Sequence, residues 1–290
     1  MSLKKRFSSG DFVVFAEVHT PKGVDISDLV ANARRLKGRI DAVVVPDMDN
    51  GIMQMSSLAG GMLMRQQGLE AIIHVYGRDR NRLALQGDIL AAHVLGIQNL
   101  LVVRGEDMAN GDHREAKTVD DLDELAILKM IRSLQEGVDL AGFELKGAPD
   151  FTTGCAIAPF ADNAQMEKEI EAARQKVAAG AQFILTPPVF DMAFYSEFVK
   201  KLKPLNVPIV ATVFLLKNVG MARYMSINDP STRMSEEIIN RIRKAPDREV
   251  ECVRIAGEMA ASLKKVVQGI KISTLGWEHR LPAILEIAGF

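Results

Sequence analysis

Short apolar runs alternate with stretches of helical periodicity from one end of the chain to the other. Eight runs, most of them rich in β-branched residues, are typical of strands buried on both faces, and they lie at 12–18, 40–45, 71–76, 99–103, 151–158, 182–185, 208–214 and 270–274. Most are followed by a stretch whose apolar residues recur every three or four positions, which is the period of an amphipathic helix. Extra helical stretches precede the last strand, so we expect a helical insertion over about 235–267.

This alternation predicts the fold class. Strands separated by crossover helices form parallel sheets. Eight strand-then-helix units within 290 residues favour a closed (β/α)8 barrel, the TIM barrel, over an open doubly wound sheet. No low-complexity segment or linker interrupts the units, so we expect a single α/β domain over residues 1–290.

The composition narrows the classes of function. A net charge of −1 gives no general attraction to nucleic acid or to an anionic membrane, and no segment reaches the ~18 apolar residues of a membrane span. Cys155 and Cys252 belong to no CxxC pair, so we expect neither a disulfide framework nor a metal site. The expected location is a reducing cytoplasm, and the expected ligand is a small molecule.

The segment 12–23, FVVFAEVHTPKG, indicates where the chemistry lies. Its predicted strand carries one carboxylate, Glu17, almost at the end. In a barrel the carboxyl ends of all strands converge on one mouth, where barrel enzymes hold their catalytic groups. The polar residues predicted at that mouth are Glu17, His19, Asp47, His74, Tyr76, Arg104, Glu106, Thr186 and Thr274.

Several candidates also have simple structural explanations. A salt bridge on a loop is the simple explanation for Arg104 and Glu106, and a solvated helix face is the one for Lys176. Cys155 is explained by packing within an apolar strand. Lys271 on the last strand is a candidate Schiff-base lysine of an aldolase-like barrel, and its flanking isoleucines leave its direction open. The chain has neither a GxGxxG nor a P-loop motif, so a Rossmann-type nicotinamide site is unsupported.

Four stretches together resemble the methylenetetrahydrofolate reductase family. They are FAEVHTPKG at 15–23, the segment 55–107 with RDRNRLALQGDILAAHVLGIQN at 78–99, CAIAPFAD at 155–162 with KVAAGAQFILT at 176–186, and LGWEHRLPAILEIAGF at 275–290. The last resembles the tail of the short, single-domain forms of the family. The resemblance keeps motif order over nearly the whole chain.

The resemblance implies a flavoprotein with the (β/α)8 fold, carrying FAD, or FMN as the alternative. Such a protein passes a hydride from reduced flavin to the methylene carbon of 5,10-methylenetetrahydrofolate, giving 5-methyltetrahydrofolate, or runs the reverse reaction. Glu17 is expected to be the general acid, with its pKa raised by an apolar strand end. Glu106 is expected to stand between flavin and pterin, where a carboxylate favours a cationic intermediate. NADH or a redox partner protein would supply electrons, in a homo- or hetero-oligomer.

The resemblance also assigns residues to two binding sets. The catalytic pair is Glu17 and Glu106. The cofactor-binding set is His74, Arg78, Asp79, Asn81, Arg104, Gly105, Glu106, Ala156, Ala158 and Lys176. The substrate-binding set is Glu17, His19, Thr186, Pro187 and Met225.

Four positions depart from the family pattern. Pro187 replaces a folate-contacting glutamine, Pro46 replaces a threonine beside the flavin, and Glu106 replaces an aspartate. Met225 stands where some NADH-using members have a phenylalanine. These changes favour electron delivery by a partner protein, or a related C1-pterin as substrate.

Two other functions remain open at this point. One is a lyase or aldolase that uses Lys271, and the other is a non-catalytic barrel subunit that only scaffolds a larger redox complex. A carboxylate at position 17 argues against the scaffold, because a scaffold has no need of an acid inside a barrel mouth.

Overall fold

The computed structural model of the chain describes residues 1–48, 51–229, 231 and 233–290. Within these residues, eight parallel strands close into a barrel in the order β1 to β8, with β8 paired to β1. The predicted (β/α)8 barrel is thereby confirmed. The strands are β1 (Val13–Glu17), β2 (Ala42–Val45), β3 (Ala71–Val75), β4 (Asn99–Val102), β5 (Thr152–Ala156), β6 (Phe183–Pro188), β7 (Ile209–Phe214) and β8 (Gly269–Ser273).

Helices surround the barrel, and polar side chains fix where several of them begin. The Asn81 carboxamide, for example, accepts the backbone N–H groups of Leu83 and Ala84, two donors that would otherwise have no intrahelical partner. No helix in the described ranges is long and apolar enough to cross a membrane. The helices are α1 (Leu3–Ser9), α2 (Ser27–Leu36), α3 (Ser57–Gln66), α4 (Arg82–Val94), α5 (Glu124–Gln135), α6 (Asn163–Ala178), α7 (Met192–Leu202), α8 (Val219–Asn228), α9 (Glu236–Lys244), α10 (Arg248–Leu263) and α11 (Leu281–Ala288).

Alternation along the strands divides the apolar residues into two cores. On β1, Val13 and Phe15 belong to the small cluster inside the barrel, whereas Val14 and Ala16 belong to the large cluster between barrel and helices. Because successive side chains of a strand point to opposite faces, Glu17 shares the inward face of Phe15. This parity decides which strand-end residues reach the mouth.

A short helix closes the end of the barrel opposite the mouth, and the sequence pattern does not predict it. Leu3 of α1 is fully buried with the interior cluster, and the Phe7 ring packs against the rings of Phe15 and Phe183 at centroid distances of 6.4 and 5.4 Å. Seven residues give too little periodicity to recognise, and Phe183, one of the apolar partners of α1, lies far along the chain.

The helical segment predicted over about 235–267 consists of α9 and α10, which have different places in the fold. The longer of its two helices, α10, packs against β7, β8 and α11, and so occupies the place of the regular helix between the last two strands. Its buried face includes Ile255, Ala256 and Leu263. The additional elements are therefore α8 and α9, and α9 is joined to α10 by an ion pair from Arg241 to Glu251 of 2.6 Å.

Candidate active site

Glu17 lies inside the barrel mouth. It is the last residue of β1, its side chain follows Phe15 on the inward face, and it is only 8% exposed. An isolated carboxylate in such a place would be strongly disfavoured in its charged form. The site must therefore supply partners for it, or Glu17 must be neutral.

Both oxygens of Glu17 have partners from β8. The Lys271 ammonium donates to Oε2, and the Ser273 hydroxyl donates to Oε1 at 2.7 Å. His19, two residues further along the chain, places Nε2 3.5 Å from Oε1. Lys271 is itself 8% exposed. The β1–β8 register sets Phe15 opposite Lys271 and Glu17 opposite Ser273. The side chains of Glu17, Lys271 and Ser273 therefore share the inward face.

This arrangement overturns the expected raised pKa of Glu17. Burial alone raises the pKa of that carboxyl, but the positive charge of Lys271 and the hydrogen bond from His19 outweigh burial and hold the pKa well below its ordinary value of 4.5. Glu17 is thus a carboxylate before substrate binds. The apolar pattern of β1 alone does not reveal this, because the cation lies 254 residues away in the chain.

Two strands further around the mouth, after β3, Arg78 joins three loops. Its guanidinium pairs with Asp79 at 2.7 Å and donates to the backbone carbonyls of Met48 and Glu106, each at 3.1 Å. It also donates to the Tyr76 hydroxyl at 3.1 Å and lies over that ring at 4.8 Å. Most of its donors are used within the protein, so Arg78 chiefly fixes the loops after β2, β3 and β4.

The rest of the RDRN loop is also structural in large part. Arg80 pairs with Asp47 at 2.7 Å and with Asp88 at 3.0 Å, and Asp47 in turn accepts the backbone N–H of Ser57 at 2.9 Å. Asn81 is the cap of α4. The predicted mouth residue Asp47 is therefore buried and connects two loops. The carboxamide oxygen of Asn81 is used to cap α4.

A cavity of about 1050 Å³ lies beside this network. Such a volume is sufficient for a ligand of nucleotide size. In the described part of the chain its wall runs from the end of β3 to the start of α5 and does not include Glu17. The wall is formed by Gly77, Arg78, Val103, Arg104, Gly105, Glu106, Asp107, Asn110, Thr118, Asp120, Leu122, Asp123 and Glu124.

The cavity wall fits a flavin nucleotide in size and in its mixture of charges. Arg104 is exposed and, with Arg78, gives the wall its positive charge, which suits phosphate oxygens. Carboxylates such as Glu106, Asp107 and Asp123 accept hydrogen bonds from hydroxyls, which a ribityl or ribose chain supplies. A phosphate group would have to lie against the arginines and away from these acids.

The loop after β4 reaches across the mouth towards β1. Asp112 forms an ion pair with Lys22 of the loop after β1, and it accepts the backbone N–H of Met53 at 3.0 Å. The hydrogen bonds from Lys22, His113 and the Met53 backbone lower the pKa of Asp112 far below its ordinary value. This tether links the Glu17 side of the mouth with the loop that carries Arg104 and Glu106.

Lys176 is not the solvated lysine that its helix position favours. Its ammonium pairs with Glu124 at 2.7 Å and donates to the carbonyl of Ala156, at the end of β5, at 3.1 Å. Glu124 belongs to the cavity wall. The lysine therefore lies at the rim, next to Ala156 and near Ala158, whose backbone N–H donates to Glu169 at 3.0 Å.

Thr186 does not lie in the mouth. It is 2% exposed, and its hydroxyl is 2.8 Å from the Tyr195 hydroxyl of α7, so it faces the helices and not the barrel interior. Pro187 follows it at a register shift in β6 and is partly exposed at the mouth end of the strand. Met225 lies on α8 and packs against the core between helices and barrel. Of these three predicted substrate contacts, Thr186 is the one whose side chain points away from the mouth.

The remaining strand-end residues divide in the same way. His74 shares the inward face of Ile72 on β3 and is 9% exposed, and Tyr76 follows it at the strand end. Burial raises the pKa of Tyr76, so its hydroxyl stays protonated beside Arg78. Thr274 is fully buried and donates to Glu278 at 3.3 Å, which fixes the turn after β8. No cluster of three or more metal-ligating side chains occurs among the residues whose structure is described.

Lys271 and Ser273 are the site residues whose role sequence reasoning missed. Ile270 and Ile272 belong to the outer core, and this alternation turns Lys271 and Ser273 inward. The i, i+2 spacing of two polar residues in an otherwise apolar strand was the available signal. Their meeting with Glu17 depends on closure of the barrel between the first and last strands.

Comparison with solved structures shows the fold alone. A riboflavin lyase crystallised with modified FMN and riboflavin aligns over 96% of this chain and 92% of its own, with a TM-score of 0.57 and 8% identity. Tryptophan synthase from M. tuberculosis aligns over 98% of this chain and 94% of its own, with a TM-score of 0.50 and 12% identity.

The family comparison is more specific. The family model described as methylenetetrahydrofolate reductase matches residues 2–289, nearly the whole chain, including both strands that hold Glu17 and Lys271. Together with the closed barrel and the carboxylate in its mouth, this match settles the family. The chain belongs to the methylenetetrahydrofolate reductase family.

Proposed function

We propose that this protein is a flavin-dependent 5,10-methylenetetrahydrofolate reductase, working in either direction, in which Glu17 exchanges the proton. The family match over residues 2–289 carries the proposal, since it supports an oxidoreductase-like activity in folate metabolism. The Glu17 carboxylate in the barrel mouth supplies a group for the proton step.

The cofactor we assign is a flavin, FAD first and FMN as the alternative. Members of the family are generally flavin-dependent. In the cavity beside β3 and β4, Arg104 and Arg78 would lie against its phosphate. The carboxylates of the wall would accept hydrogen bonds from its hydroxyl groups. When bound, the flavin supplies or accepts the hydride.

The residues of this chain account for the remaining chemistry. The methylene bridge of the substrate accepts a hydride only after one C–N bond opens to an iminium cation, and opening needs a proton on the departing nitrogen. Glu17 exchanges that proton, which is a contribution of about 10²–10⁴-fold in rate for a well-placed side chain. Glu106, a carboxylate at the cavity wall, favours a cation that forms nearby.

The electron donor we assign is a redox partner protein in place of NADH. Support comes from two departures from the family pattern, namely Pro187 at the end of β6 and Met225 on α8. Anaerobic mixing of the purified flavoprotein with NADH tests this assignment. Slow or absent bleaching of the flavin supports a partner protein, and rapid bleaching contradicts it.

An aldolase that uses Lys271 is disfavoured by the ion pair. Schiff-base formation needs a neutral amine. In this structure the Lys271 nitrogen donates to the Glu17 carboxylate and is engaged in an ion pair with it. We therefore propose that Lys271 is the ion-pair partner of Glu17 and not a nucleophile towards a carbonyl substrate.

The direct test of the proposed function is turnover with a defined donor. The purified protein should be yellow and release a flavin whose mass identifies FAD or FMN. With reduced benzyl viologen as donor, it should convert 5,10-methylenetetrahydrofolate to 5-methyltetrahydrofolate, measured by chromatography of the folates. A protein that binds flavin tightly yet gives no folate product contradicts the proposal, as does a protein that binds none.

A further inference from the structure

Two buried charges face each other within the barrel mouth. Glu17 and Lys271 are each 8% exposed and paired, and the neighbouring residues on the adjacent strands, Val44 on β2 and Thr212 on β7, carry no charge. A buried ion pair is weak evidence for stability, because apolar residues of similar volume often serve the fold equally well. The pair therefore calls for a functional explanation.

The geometry fixes the carboxylate as well as its charge. Lys271 occupies one oxygen and Ser273 the other, so the side chain of Glu17 is held at both ends of the carboxylate. His19 approaches the Ser273-bound oxygen at 3.5 Å from the mouth side. Among the described residues, Lys271 from β8 and His19 from the loop after β1 lower the pKa of Glu17.

We propose that Lys271 is a positioning residue that keeps Glu17 ionised and oriented before substrate binds, so that the resting site accepts a proton from a substrate nitrogen. This inference rests on the proposed function and adds a direction to it. The resting protein is ready for oxidation of 5-methyltetrahydrofolate. Reduction requires that Glu17 first take up a proton from solvent.

The proton and electron balance is complete in the oxidative direction. The N-methyl carbon would lose a hydride, with both electrons, to the oxidised flavin that the proposed function assigns to the cavity. The second nitrogen of the folate then attacks the resulting iminium carbon, forms the new C–N bond, and passes its proton to Glu17. Glu17 returns that proton to solvent, for which His19 at the mouth provides a path, and Lys271 takes no part in the transfer.

Infrared spectroscopy of the protein as purified tests the inference without turnover. The band of a protonated carboxyl, assigned to Glu17 by its loss in Glu17→Gln, should be absent from the wild type at every pH above 4.5. In Lys271→Met the band should titrate at a proton concentration at least about tenfold lower than in the wild type, because burial then acts unopposed by that charge. Lys271→Arg, which keeps the charge, should titrate like the wild type.

Lys217→Met is the matched control. Lys217 lies at the rim, over the ring of Trp277 at 5.1 Å, and its removal should leave the Glu17 band unchanged. If the midpoint of the Glu17 band in the wild type lies above pH 4.5, the inference is overturned without any variant. The test therefore does not depend on whether Lys271→Met folds. Equal midpoints in the wild type and Lys271→Met also overturn it.

Activity gives an independent second readout. In the oxidative direction, kcat/KM should fall on the acid side of the pH profile as Glu17 is protonated. The midpoint of this acid limb should lie at higher pH in Lys271→Met and should be unchanged in Lys271→Arg. An unmoved profile in Lys271→Met contradicts the inference. If folate turnover is absent while the infrared titration follows the expected pattern, the proposed function fails and the role of Lys271 in holding Glu17 ionised stands.

Discussion

Replacing Arg78 by lysine tests how the mouth is held together. The arginine side chain is 4% exposed, and its guanidinium bonds to the loops after β2, β3 and β4 at once. A lysine keeps the charge but has a single nitrogen, so it can retain the Asp79 pair while losing the carbonyls of Met48 and Glu106.

The structure sets the size of the effect. A hydrogen bond from a charged donor contributes about 1.5–3 kcal/mol, so two lost bonds should lower the free energy of unfolding by about 3 kcal/mol, near the low end because the exposed Glu106 can bond to water instead. Since Arg78 also forms part of the cavity wall, the flavin content per chain should fall as well.

Urea denaturation followed by far-ultraviolet circular dichroism measures the change. Arg82→Lys is the matched control, because Arg82 pairs with Asp121 at the surface and should leave the midpoint within error. If Arg78→Lys unfolds at the same urea concentration as Arg82→Lys, the assignment of Arg78 as the junction of three loops is refuted.

Three further outcomes are expected. Because the pKa of Glu17 is held below 4.5, its carboxylate stabilises the fold above that pH, and the stability difference between wild type and Glu17→Gln should shrink as pH falls below 4.5 in urea titrations. Gly154→Ala would overlap the Phe183 ring and should lower the unfolding free energy by about 1–3 kcal/mol, whereas Gly87→Ala, in open space on α4, should raise it by up to about 1 kcal/mol. Thr186→Val should cost about 1 kcal/mol and leave the folate KM unchanged; a raised KM would return Thr186 to the mouth.

Much of the fold follows from local pattern. Most of the eight strands are apolar runs, and their alternation with helices leaves few arrangements other than a closed parallel barrel. The position of Glu17 at a strand end is also legible from the sequence. What local pattern does not give is α1, whose Phe7 contacts Phe183, a residue far away in the chain.

The site is less predictable because its properties depend on pairs of elements. The charge state of Glu17 is decided by Lys271 from the opposite end of the chain, which only closure of the barrel brings near. Thr186 reads as a mouth residue because it ends an apolar run, yet its alternation with the inward Leu185 turns it towards Tyr195. Lys176 reads as exposed until the structure brings Glu124 and the end of β5 to it.

The proposed function requires Glu17 to exchange a proton with a folate nitrogen in a barrel that carries a flavin. Anaerobic mixing with 5-methyltetrahydrofolate is the most direct test, with flavin bleaching followed by stopped-flow absorption and folate product measured by rapid quench and chromatography, in the wild type and in Glu17→Gln with equal flavin content. The wild type should bleach and form product, and Glu17→Gln should form folate product at least about 100-fold more slowly. Equal rates of product formation in the two proteins would contradict it.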